Sequence, residues 1–427
     1  MKTVQIITLG CSKNTVDSEH IMAALPLSEY VVRDENWKGA VDYLLINTCG
    51  FIGDAKEESV EAILEAVRKK QEGLVGKLIV FGCLSQRYSK ELPKEIPEVD
   101  EWYGARDIDD VIRALGAEPS KPNSRYTLDP KPYAYLKISE GCDRRCSYCA
   151  IPMIRGAHRS VPMEDLVEEA SFLAAKGVRE LILIAQDTTY YGLDLYGKRM
   201  LAELLRRLSA VRGIEWLRIH YSYPADFPVD VLEEMASNPK VCKYIDIPLQ
   251  HVSDNVLKCM HRHVDGAFTR ALIKRFRESV PGVVLRTTMI VGHPGEGEKE
   301  FDELLDFVRE ARFERLGAFT YSEEEGTWGA GHLEDSLSQE EKDRRLDALM
   351  SLQASISLEI GRSRVGSIVR VLADSWQDGT LVCRSEFESP EVDGEILVRS
   401  EDKSLVGKFV DVRILAADEY DMIAEIV

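Results

Sequence analysis

The first 116 residues alternate short apolar runs with stretches of helical periodicity. The runs VQIITL, DYLLIN and KLIVF are typical of buried strands. Between the last two runs, SVEAILEAVRKK carries apolar residues at the spacing of one helical face. These residues are Val60, Ile63, Leu64 and Val67. Strands separated by helices imply a parallel sheet buried on both sides, so residues 1–116 are predicted to form a parallel-sheet α/β domain.

A polar, proline-rich segment, AEPSKPNSRYTLDPKP at 117–132, is predicted to be a linker. Six strand-like runs then follow between residues 133 and 359: YLKIS, LILIA, WLRIH, YIDIPL, VVLRTTMIV and LGAFTY. Helical patterns separate them, with apolar faces at Leu201, Leu204, Leu205 and Leu208 and at Phe301, Leu304, Leu305 and Val308. Six β/α units predict an open (β/α)6 partial TIM barrel, because the closed form needs eight.

A long helix, from about Glu340 to Arg364, is predicted to end this domain. Its expected inner face consists of Leu346, Leu349, Met350 and Ile356. From residue 360 to 427 the pattern changes to period-two alternation with glycine turns, as in GTLVCRSEF and GEILVRS. This pattern predicts a small antiparallel β-barrel, and the chain as a whole is predicted to be an α/β multidomain protein.

Composition limits the cellular location, the chemistry and the partners expected of the protein. No apolar run approaches the length of about 18 residues that a membrane span needs. The apolar stretch at the N-terminus is short and contains Gln5, so we expect no secretion and a cytoplasmic location. Nine cysteines in a reducing compartment favour metal or redox chemistry over disulfides. The net charge of −19 disfavours a broad grip on nucleic acid and suits a basic partner, although a merely solvated acidic surface is the simpler alternative.

One group of three cysteines lies within nine residues, in GCDRRCSYC. Cys142, Cys146 and Cys149 follow the strand YLKIS, at the end where parallel α/β folds place their chemistry. A single loop of this kind can bind three irons of a cubane iron–sulfur cluster and leave the fourth open. The alternative is a zinc site completed by a distant residue, with His158 as the nearest candidate.

A second group of three cysteines is dispersed along the N-terminal domain. Cys11, Cys49 and Cys83 each come one or two residues after an apolar run. The carboxyl ends of parallel strands share one edge, so these three thiols are predicted to converge there. Gly10, Gly50 and Gly82 flank them and allow the backbone to approach a bulky inorganic core. Three buried structural cysteines are the alternative.

The motifs now resemble a known family. Cys-x3-Cys-x2-Cys, with Tyr148 before the last cysteine, resembles the radical S-adenosylmethionine (SAM) enzymes. LGCSKNTVDSE, INTCGFI and FGCLSQRY, together with the terminal barrel, resemble the methylthiotransferases of that superfamily. ISEGCDRRCSYCAIPMIRG, NTCGFIGDAKEES and PEVDGEI are most similar to the members that modify ribosomal protein S12. The resemblance covers essentially the whole chain and implies that the terminal barrel is TRAM-like and recognises the substrate.

The resemblance also implies the chemistry. Two [4Fe-4S] clusters are expected, one on Cys142, Cys146 and Cys149 and one on Cys11, Cys49 and Cys83. The first would bind SAM at its open iron and split it into a 5′-deoxyadenosyl radical, which removes hydrogen from the β-carbon of an aspartate. The second would carry the sulfur that a second SAM methylates before its transfer to that carbon. An electron donor such as flavodoxin or ferredoxin is implied. No side chain is assigned as catalytic, because the clusters and SAM carry the chemistry.

Several side chains are candidates for holding SAM. The residues predicted to bind the cofactor are Tyr148, Gln186, Arg286 and Gly292. Further candidates at strand ends are Asp187, Arg218, His220 and Gln250. Radical SAM enzymes often carry Gly-Gly-Glu after the second strand, but this chain has Ala-Gln-Asp there, so that contact is not transferred. Arg286 has two interpretations, a bidentate partner of a carboxylate and a structural salt bridge in the barrel.

The substrate is predicted from charge. Residues 360–427 contain 8 Lys and Arg and 14 Asp and Glu, a net charge of 8 − 14 = −6. An RNA-binding barrel should be basic, so a basic ribosomal protein, S12, is favoured, either free or in the assembled subunit. A related enzyme that methylthiolates adenosine in transfer RNA is the alternative, and a non-enzymatic metal-cluster protein is a second. The chain is expected to be a monomer, with no membrane partner.

Overall fold

The computed structural model describes residues 1–119, 124–127 and 130–427. Within them the chain forms two compact units. The first consists of Met1–Pro130, Tyr135–Arg144 and Cys149–Phe172, and the second of Lys131–Ala134, Arg145–Tyr148 and Leu173–Val427. The predicted linker at 117–132 includes residues 120–123 and 128–129, which lie outside the described residues. The domain boundaries predicted from the sequence therefore stay predictions.

Strands and helices alternate through most of the chain. The strands are β1 (Lys2–Thr8), β2 (Tyr30–Arg33), β3 (Val41–Thr48), β4 (Val75–Gly82), β5 (Glu101–Trp102), β6 (Tyr133–Lys137), β7 (Ser139–Glu140), β8 (Arg159–Ser160), β9 (Glu180–Ile184), β10 (Trp216–Ile219), β11 (Val241–Asp246), β12 (Val284–Val291), β13 (Arg315–Thr320), β14 (Ile368–Gln377), β15 (Thr380–Ser385), β16 (Ile396–Arg399), β17 (Phe409–Ala417) and β18 (Met422–Ile426). The α-helices are α1 (Ser12–Ala24), α2 (Gly53–Gln71), α3 (Cys83–Arg87), α4 (Leu92–Glu95), α5 (Ile108–Leu115), α6 (Ile151–Arg155), α7 (Met163–Ala175), α8 (Leu193–Tyr196), α9 (Leu201–Ser209), α10 (Val229–Ser237), α11 (Asp254–Cys259), α12 (Gly266–Ser279), α13 (Glu298–Ala311), α14 (Trp328–His332) and α15 (Gln339–Ser363).

A parallel sheet in the order β2-β1-β3-β4-β5 forms the centre of the first unit. Its strands are apolar on both faces because helices cover both. Ile21 of α1 and Leu115 of α5 belong to one core, and Ile63 and Val67 of α2 belong to the other. The predicted α/β sheet is confirmed. Leu64 was expected on the buried face of α2, but it is 45% exposed, so that expectation is wrong.

A second sheet has the order β13-β12-β11-β10-β9-β6, and β6 begins in the second unit at Tyr133. The pairings from β9 to β13 are all parallel. These six strands are the six runs predicted from the sequence, and helices such as α9, α12 and α13 connect them with their apolar faces buried. The open (β/α)6 partial barrel is therefore confirmed.

The long helix α15 begins and ends close to its predicted positions, but its buried face differs. Leu349 and Ile356 are buried as expected, whereas Leu346 and Met350 are only half-buried. Polar residues occupy the other inner positions: Lys342, Arg345, Gln353 and Ser357. They are tolerated there because each has a partner inside the protein, as when Arg345 pairs with Glu296 at 2.7 Å.

The terminal barrel is closed, with its five strands in the order β14-β15-β16-β18-β17. Four of the pairings are antiparallel as predicted, and the pairing of β16 with β18 is parallel. Alternate residues face the interior and form one apolar core, which includes Val371, Leu381, Val398 and Val412. The barrel is small enough for these side chains to fill it.

Strand β15 and the connection that follows it fix the terminal barrel to the large sheet of the same unit. Glu180, the first residue of β9, is fully buried and pairs with both Arg218 at 2.7 Å and Arg384 at 2.8 Å. Arg315, the first residue of β13, pairs with Glu388 at 3.0 Å. The terminal barrel therefore packs near the amino ends of these strands.

No helix among the described residues combines the length and the apolar character that crossing a membrane requires.

Candidate functional site

Cys11, Cys49 and Cys83 lie at the carboxyl edge of the first sheet. They follow β1, β3 and β4, which are neighbours in that sheet. The register pairs Thr48, one residue before Cys49, with Gly82, one residue before Cys83. These strands therefore end at the same level. The structure places three cysteines that are far apart in the sequence at one edge of the sheet, as predicted, and their role as cluster ligands stays a prediction.

Glycines let the backbone close in around this cysteine group. Gly10 has φ +92°, and a Cβ at that position would lie 2.7 Å from Cβ and 2.9 Å from Sγ of Cys49. Gly82 has φ +108°, and a Cβ there would lie 2.6 Å from the carbonyl oxygen of Thr48. Neither position accepts another residue without displacement. Gly10 and Gly82, which were predicted to flank the cysteines, therefore leave a space beside the thiols that a side chain at either position would fill. We call this space the cradle.

The three thiols differ in exposure. Cys11 is exposed, Cys49 is half-buried and Cys83 is buried. Burial raises the pKa of Cys83 to about 11, against the opposing effect of Arg155, and burial also raises the pKa of Cys49. Without a metal these two thiols are protonated at neutral pH, so metal binding must displace their protons.

Arg155, which is 2% exposed, is the principal cation beside this group. Its Nε donates to Sγ of Cys83 at 3.3 Å, and its Nη1 donates to Asp17 at 3.0 Å and to Glu140 at 2.9 Å. Its Nη2 donates to Oδ1 of Asn14 at 2.6 Å. The guanidinium thus joins the sulfur of Cys83 to a carboxylate two residues before Cys142. A buried ion of this kind is tolerated because four of its five N–H groups have partners, two of them carboxylates.

Lys137 completes the charge balance around Arg155. Its Nζ donates to Asp17, and it pairs with Glu140 at 2.8 Å. Two cations therefore share two carboxylates, and the cluster of four side chains is neutral. Burial lowers the pKa of Lys137, but Asp17 and Glu140 outweigh that effect and the net shift is upward.

The other cysteine group lies on the segment between β7 and α6. The amide of Cys142 donates to the carbonyl of Gly156 at 3.0 Å, and its Sγ accepts from the amide of Arg144 at 3.4 Å. These contacts hold the start of the loop and direct one backbone N–H at its first sulfur.

Cys146 has its own arginine. Nη1 of Arg262, a residue only 8% exposed, donates to Sγ of Cys146 at 3.6 Å. Its Nη2 donates to the carbonyl of Pro248 at 2.6 Å, and its guanidinium stacks over the ring of Tyr223, 4.3 Å from the centroid. Each cysteine group therefore includes one sulfur that receives an N–H from a buried arginine.

The zinc alternative names His158 as the fourth ligand beside Cys142, Cys146 and Cys149. Among the described residues, no three His, Cys, Asp or Glu side chains lie close enough together to bind a single metal ion. His158, the proposed fourth zinc ligand, instead has its Nε2 3.1 Å from Oγ of Ser160. The thiolates of a cubane each bind a separate iron and need not converge on one point. The choice between a cluster and zinc stays a prediction.

The predicted SAM contacts lie in different surroundings. Tyr148 meets the ring of His293 edge-on, with the centroids 6.1 Å apart. Gln186 is half-buried, two residues after the end of β9. Gly292 has φ +75°, and a Cβ there would lie 2.5 Å from Cγ of Lys342, so packing alone requires glycine. The cofactor contacts of Tyr148, Gln186 and Gly292 stay predictions.

Arg286 is already used as an ion-pair partner. Its Nη1 donates to the buried Asp246 at 2.8 Å, and its Nε lies 3.7 Å from Asp393. It lines a cavity of about 360 Å³ together with Arg315 and Tyr420. The geometry favours the salt-bridge interpretation, and contact with SAM stays a prediction. Two further candidates also have partners at the junction with the terminal barrel: Arg218 pairs with Glu180, and His220 lies 2.8 Å from Ser389.

Both arginines were missed in the sequence. Arg155 stands six residues after Cys149 in the motif that carries the resemblance, and Arg262 stands between His261 and His263. The arginine between these two histidines contacts Cys146. The place of Arg155 within that motif was a signal available in the sequence, whereas Arg262 lies 116 residues from Cys146 and has none.

Three family models match the chain. They are the Radical SAM superfamily over residues 136–308, the TRAM domain over 365–427, and the Uncharacterized protein family UPF0004 over 3–104. Together with the open barrel and the Cys142–Cys149 motif, these matches define a radical SAM protein with a terminal TRAM barrel.

Similar proteins of known name identify the family within the radical SAM proteins. A Bacteroides fragilis protein named ribosomal protein uS12 methylthiotransferase RimO is 52% identical over 429 residues, which cover 100% of this chain and 99% of that one. A Porphyromonas gingivalis protein of the same name is 51% identical over 428 residues, 99% of each chain. The chain belongs to the RimO family.

Solved structures share the fold at much lower identity. The radical SAM methyltransferase TsrM from Kitasatospora setae, with tryptophan and a SAM analogue bound, aligns with a TM-score of 0.58 at 13% identity, covering 94% of this chain and 81% of that one. The cobalamin-dependent radical SAM enzyme OxsB aligns with a TM-score of 0.52 at 12% identity, covering 83% and 56%. These likenesses concern the fold alone.

Proposed function

We propose that this protein is a radical SAM methylthiotransferase that adds a methylthio group to ribosomal protein uS12, at the β-carbon of an aspartate. The observation that carries the proposal is full-length identity of about 50% to proteins named for this activity. It is supported by two groups of three cysteines, each beside a buried arginine.

The residues fit two [4Fe-4S] clusters. Cys11, Cys49 and Cys83 would hold one, in the cradle that Gly10 and Gly82 leave open, and the Cys142–Cys149 motif would hold the other. When bound, the clusters would supply an electron to SAM and a carrier for the transferred sulfur. An external one-electron donor of the flavodoxin or ferredoxin type is needed.

The side chains around the sulfurs orient the ligands and exclude water. Arg155 and Arg262 each direct an N–H at a sulfur, which fixes the position of that thiolate and offsets its charge. Oγ of Ser59 accepts from the amide of Cys49 at 3.0 Å and donates to its carbonyl at 2.9 Å, so the backbone at this ligand is also held. The burial of Cys83 keeps one side of the site dry.

Charge favours a basic protein as substrate. The turn between β17 and β18 exposes Asp418, Glu419 and Asp421. Two of the eight cations after residue 360 are committed internally, Arg364 to Glu388 and Arg384 to Glu180. The remaining six cations are outnumbered by fourteen acidic residues, so the terminal barrel is a poor site for phosphates, and its acidic turn would attract a basic ribosomal protein. A transfer RNA substrate is the competing candidate.

The test is anaerobic turnover with SAM and dithionite on an S12 peptide and on transfer RNA, side by side, read by mass spectrometry. We expect a methylthio group on the aspartate of the peptide and none on the RNA. Cys146→Ala should abolish release of 5′-deoxyadenosine, whereas Cys49→Ala should keep it and lose the methylthio product. Modification of the RNA alone would contradict the substrate, and absence of 5′-deoxyadenosine from the unsubstituted protein would indicate a binding protein.

A further inference from the structure

Arg262 is a buried cation without a carboxylate. Among the described residues it forms no ion pair with Asp or Glu, and its contacts are the sulfur of Cys146, the carbonyl of Pro248 and the ring of Tyr223. Its Nε is buried and has no hydrogen-bond partner there. The groups that act electrostatically on it are Tyr148, Cys146 and Tyr223. The one group among them that is anionic near neutral pH is a cysteine, once it binds a metal.

Backbone hydrogen bonds fix the positions of Arg262 and Cys146 relative to each other. The amide of Ser147 donates to the carbonyl of Met260 at 3.0 Å, so the residue after Cys146 is tied to the turn that carries the arginine. The amide of Arg262 in turn donates to the carbonyl of Leu257 at 2.9 Å. Both ends of the N–H···S contact are therefore anchored by backbone hydrogen bonds.

Arg155 differs from Arg262 in charge balance. Arg155 and Lys137 share Asp17 and Glu140, so the side chains around Cys83 sum to zero apart from the thiolate. Arg262 contributes one uncompensated positive charge beside Cys146. Burying an unpaired ion is unfavourable by several kcal/mol, and an anion brought beside it recovers part of that loss. The site of Arg262 thus favours added negative charge.

We propose that Arg262 is a positioning residue that raises the reduction potential of the cluster bound by Cys142, Cys146 and Cys149. Reduction transfers one electron from an external reductant to the cluster, so the negative charge beside Arg262 grows by one. A buried cation stabilises the reduced state more than the oxidised state, and low dielectric strengthens the effect. Arg262 would thereby ease the electron transfer that SAM cleavage requires. This inference rests on the proposed function.

The test compares midpoint potentials of anaerobically iron-loaded, full-length protein, measured by stepwise reduction with EPR detection. The cluster of interest is the one whose EPR signal changes on addition of SAM. Arg262→Gln removes the charge, Arg262→Lys keeps it, and Arg275→Gln makes the same change in net charge at an exposed position on α12. Iron content is measured in each sample.

We expect Arg262→Gln to favour the oxidised state of this cluster at least tenfold, a shift of about 59 mV to more negative potential. The other cluster should not shift, and neither should Arg262→Lys or Arg275→Gln. An unchanged potential in Arg262→Gln with full iron would overturn the inference, as would an equal shift in Arg275→Gln. If Arg262→Gln loses iron, the Arg262→Lys variant tests the inference instead. Full iron and an unchanged potential in Arg262→Lys would support the effect of charge, whereas loss of iron or a lower potential in that variant would overturn it. A lack of iron in the unsubstituted protein would instead contradict the proposed function.

Discussion

Substituting Arg155 by methionine tests how the first cysteine group is held. Methionine fills a similar volume without charge, and it leaves Asp17 and Glu140 with Lys137 alone. Removing one partner of a buried ion pair costs about 3–5 kcal/mol, and because Lys137 still reaches both carboxylates, we expect the lower end, about 3 kcal/mol. Iron loading at Cys11, Cys49 and Cys83 should fall as well, because the N–H to Cys83 is lost.

The assay is urea unfolding read by hydrogen exchange in peptides from β1, β3 and β4, since the two units can unfold separately. The exposed Arg159→Met is the matched control and should stay within about 0.5 kcal/mol of the unsubstituted protein. Adding Asp17→Asn to Arg155→Met restores neutrality and should recover about 1–2 kcal/mol. If Arg155→Met proves as stable as the control, the network does not hold the site and the reasoning fails.

Two further substitutions test the junction and the cradle. Although burial raises its pKa, Glu388 has a pKa brought down to about 2 by Arg364 and a second arginine. Glu388→Gln should therefore lower the free energy of unfolding at neutral pH by on the order of 3 kcal/mol. Because the pKa is lower in the folded state, this contribution is present above about pH 4.3 and is lost as pH falls toward 2. Urea unfolding should therefore show a smaller stability difference between the unsubstituted protein and Glu388→Gln at about pH 3 than at neutral pH. Gly10→Ala should lower the amount of bound iron, because the added Cβ displaces Cys49. Gly53→Ala is the control and should keep its iron, because a Cβ there meets nothing within 4 Å. Equal iron content in the two variants would refute the role of the cradle.

Much of the fold was predictable because hydrophobic periodicity reports which faces are buried. All six strands of the open barrel coincide with apolar runs, and the terminal barrel with period-two alternation. The inner face of α15 was not predictable, because its polar residues are buried against partners outside the helix. Lys342 pairs with Asp335, 7 residues earlier, and Arg345 pairs with Glu296, 49 residues earlier. A polar residue is expected to be exposed unless its partner is known, and sequence spacing does not reveal that partner.

The cysteine positions were predictable and their surroundings were not. Parallel strands end at one edge, so the order β1-β3-β4 is enough to bring Cys11, Cys49 and Cys83 together. Arg155 and Arg262 reach their cysteines across separations of 72 and 116 residues, and a long, flexible side chain gives no periodic signal. For Arg286 the sequence position was misleading. Its place on a strand suggested a contact with a ligand, whereas its guanidinium is already paired with Asp246 on the neighbouring strand.

The central claim is that two separate groups of three cysteines each hold an iron–sulfur cluster. The most direct measurement is the iron and zinc content of anaerobically purified protein, compared with two triple cysteine-to-alanine variants, one for each group. The account predicts roughly eight irons in the unsubstituted protein, about four in each variant, and no zinc. Zinc in place of iron, or a triple variant with as much iron as the unsubstituted protein, would contradict it.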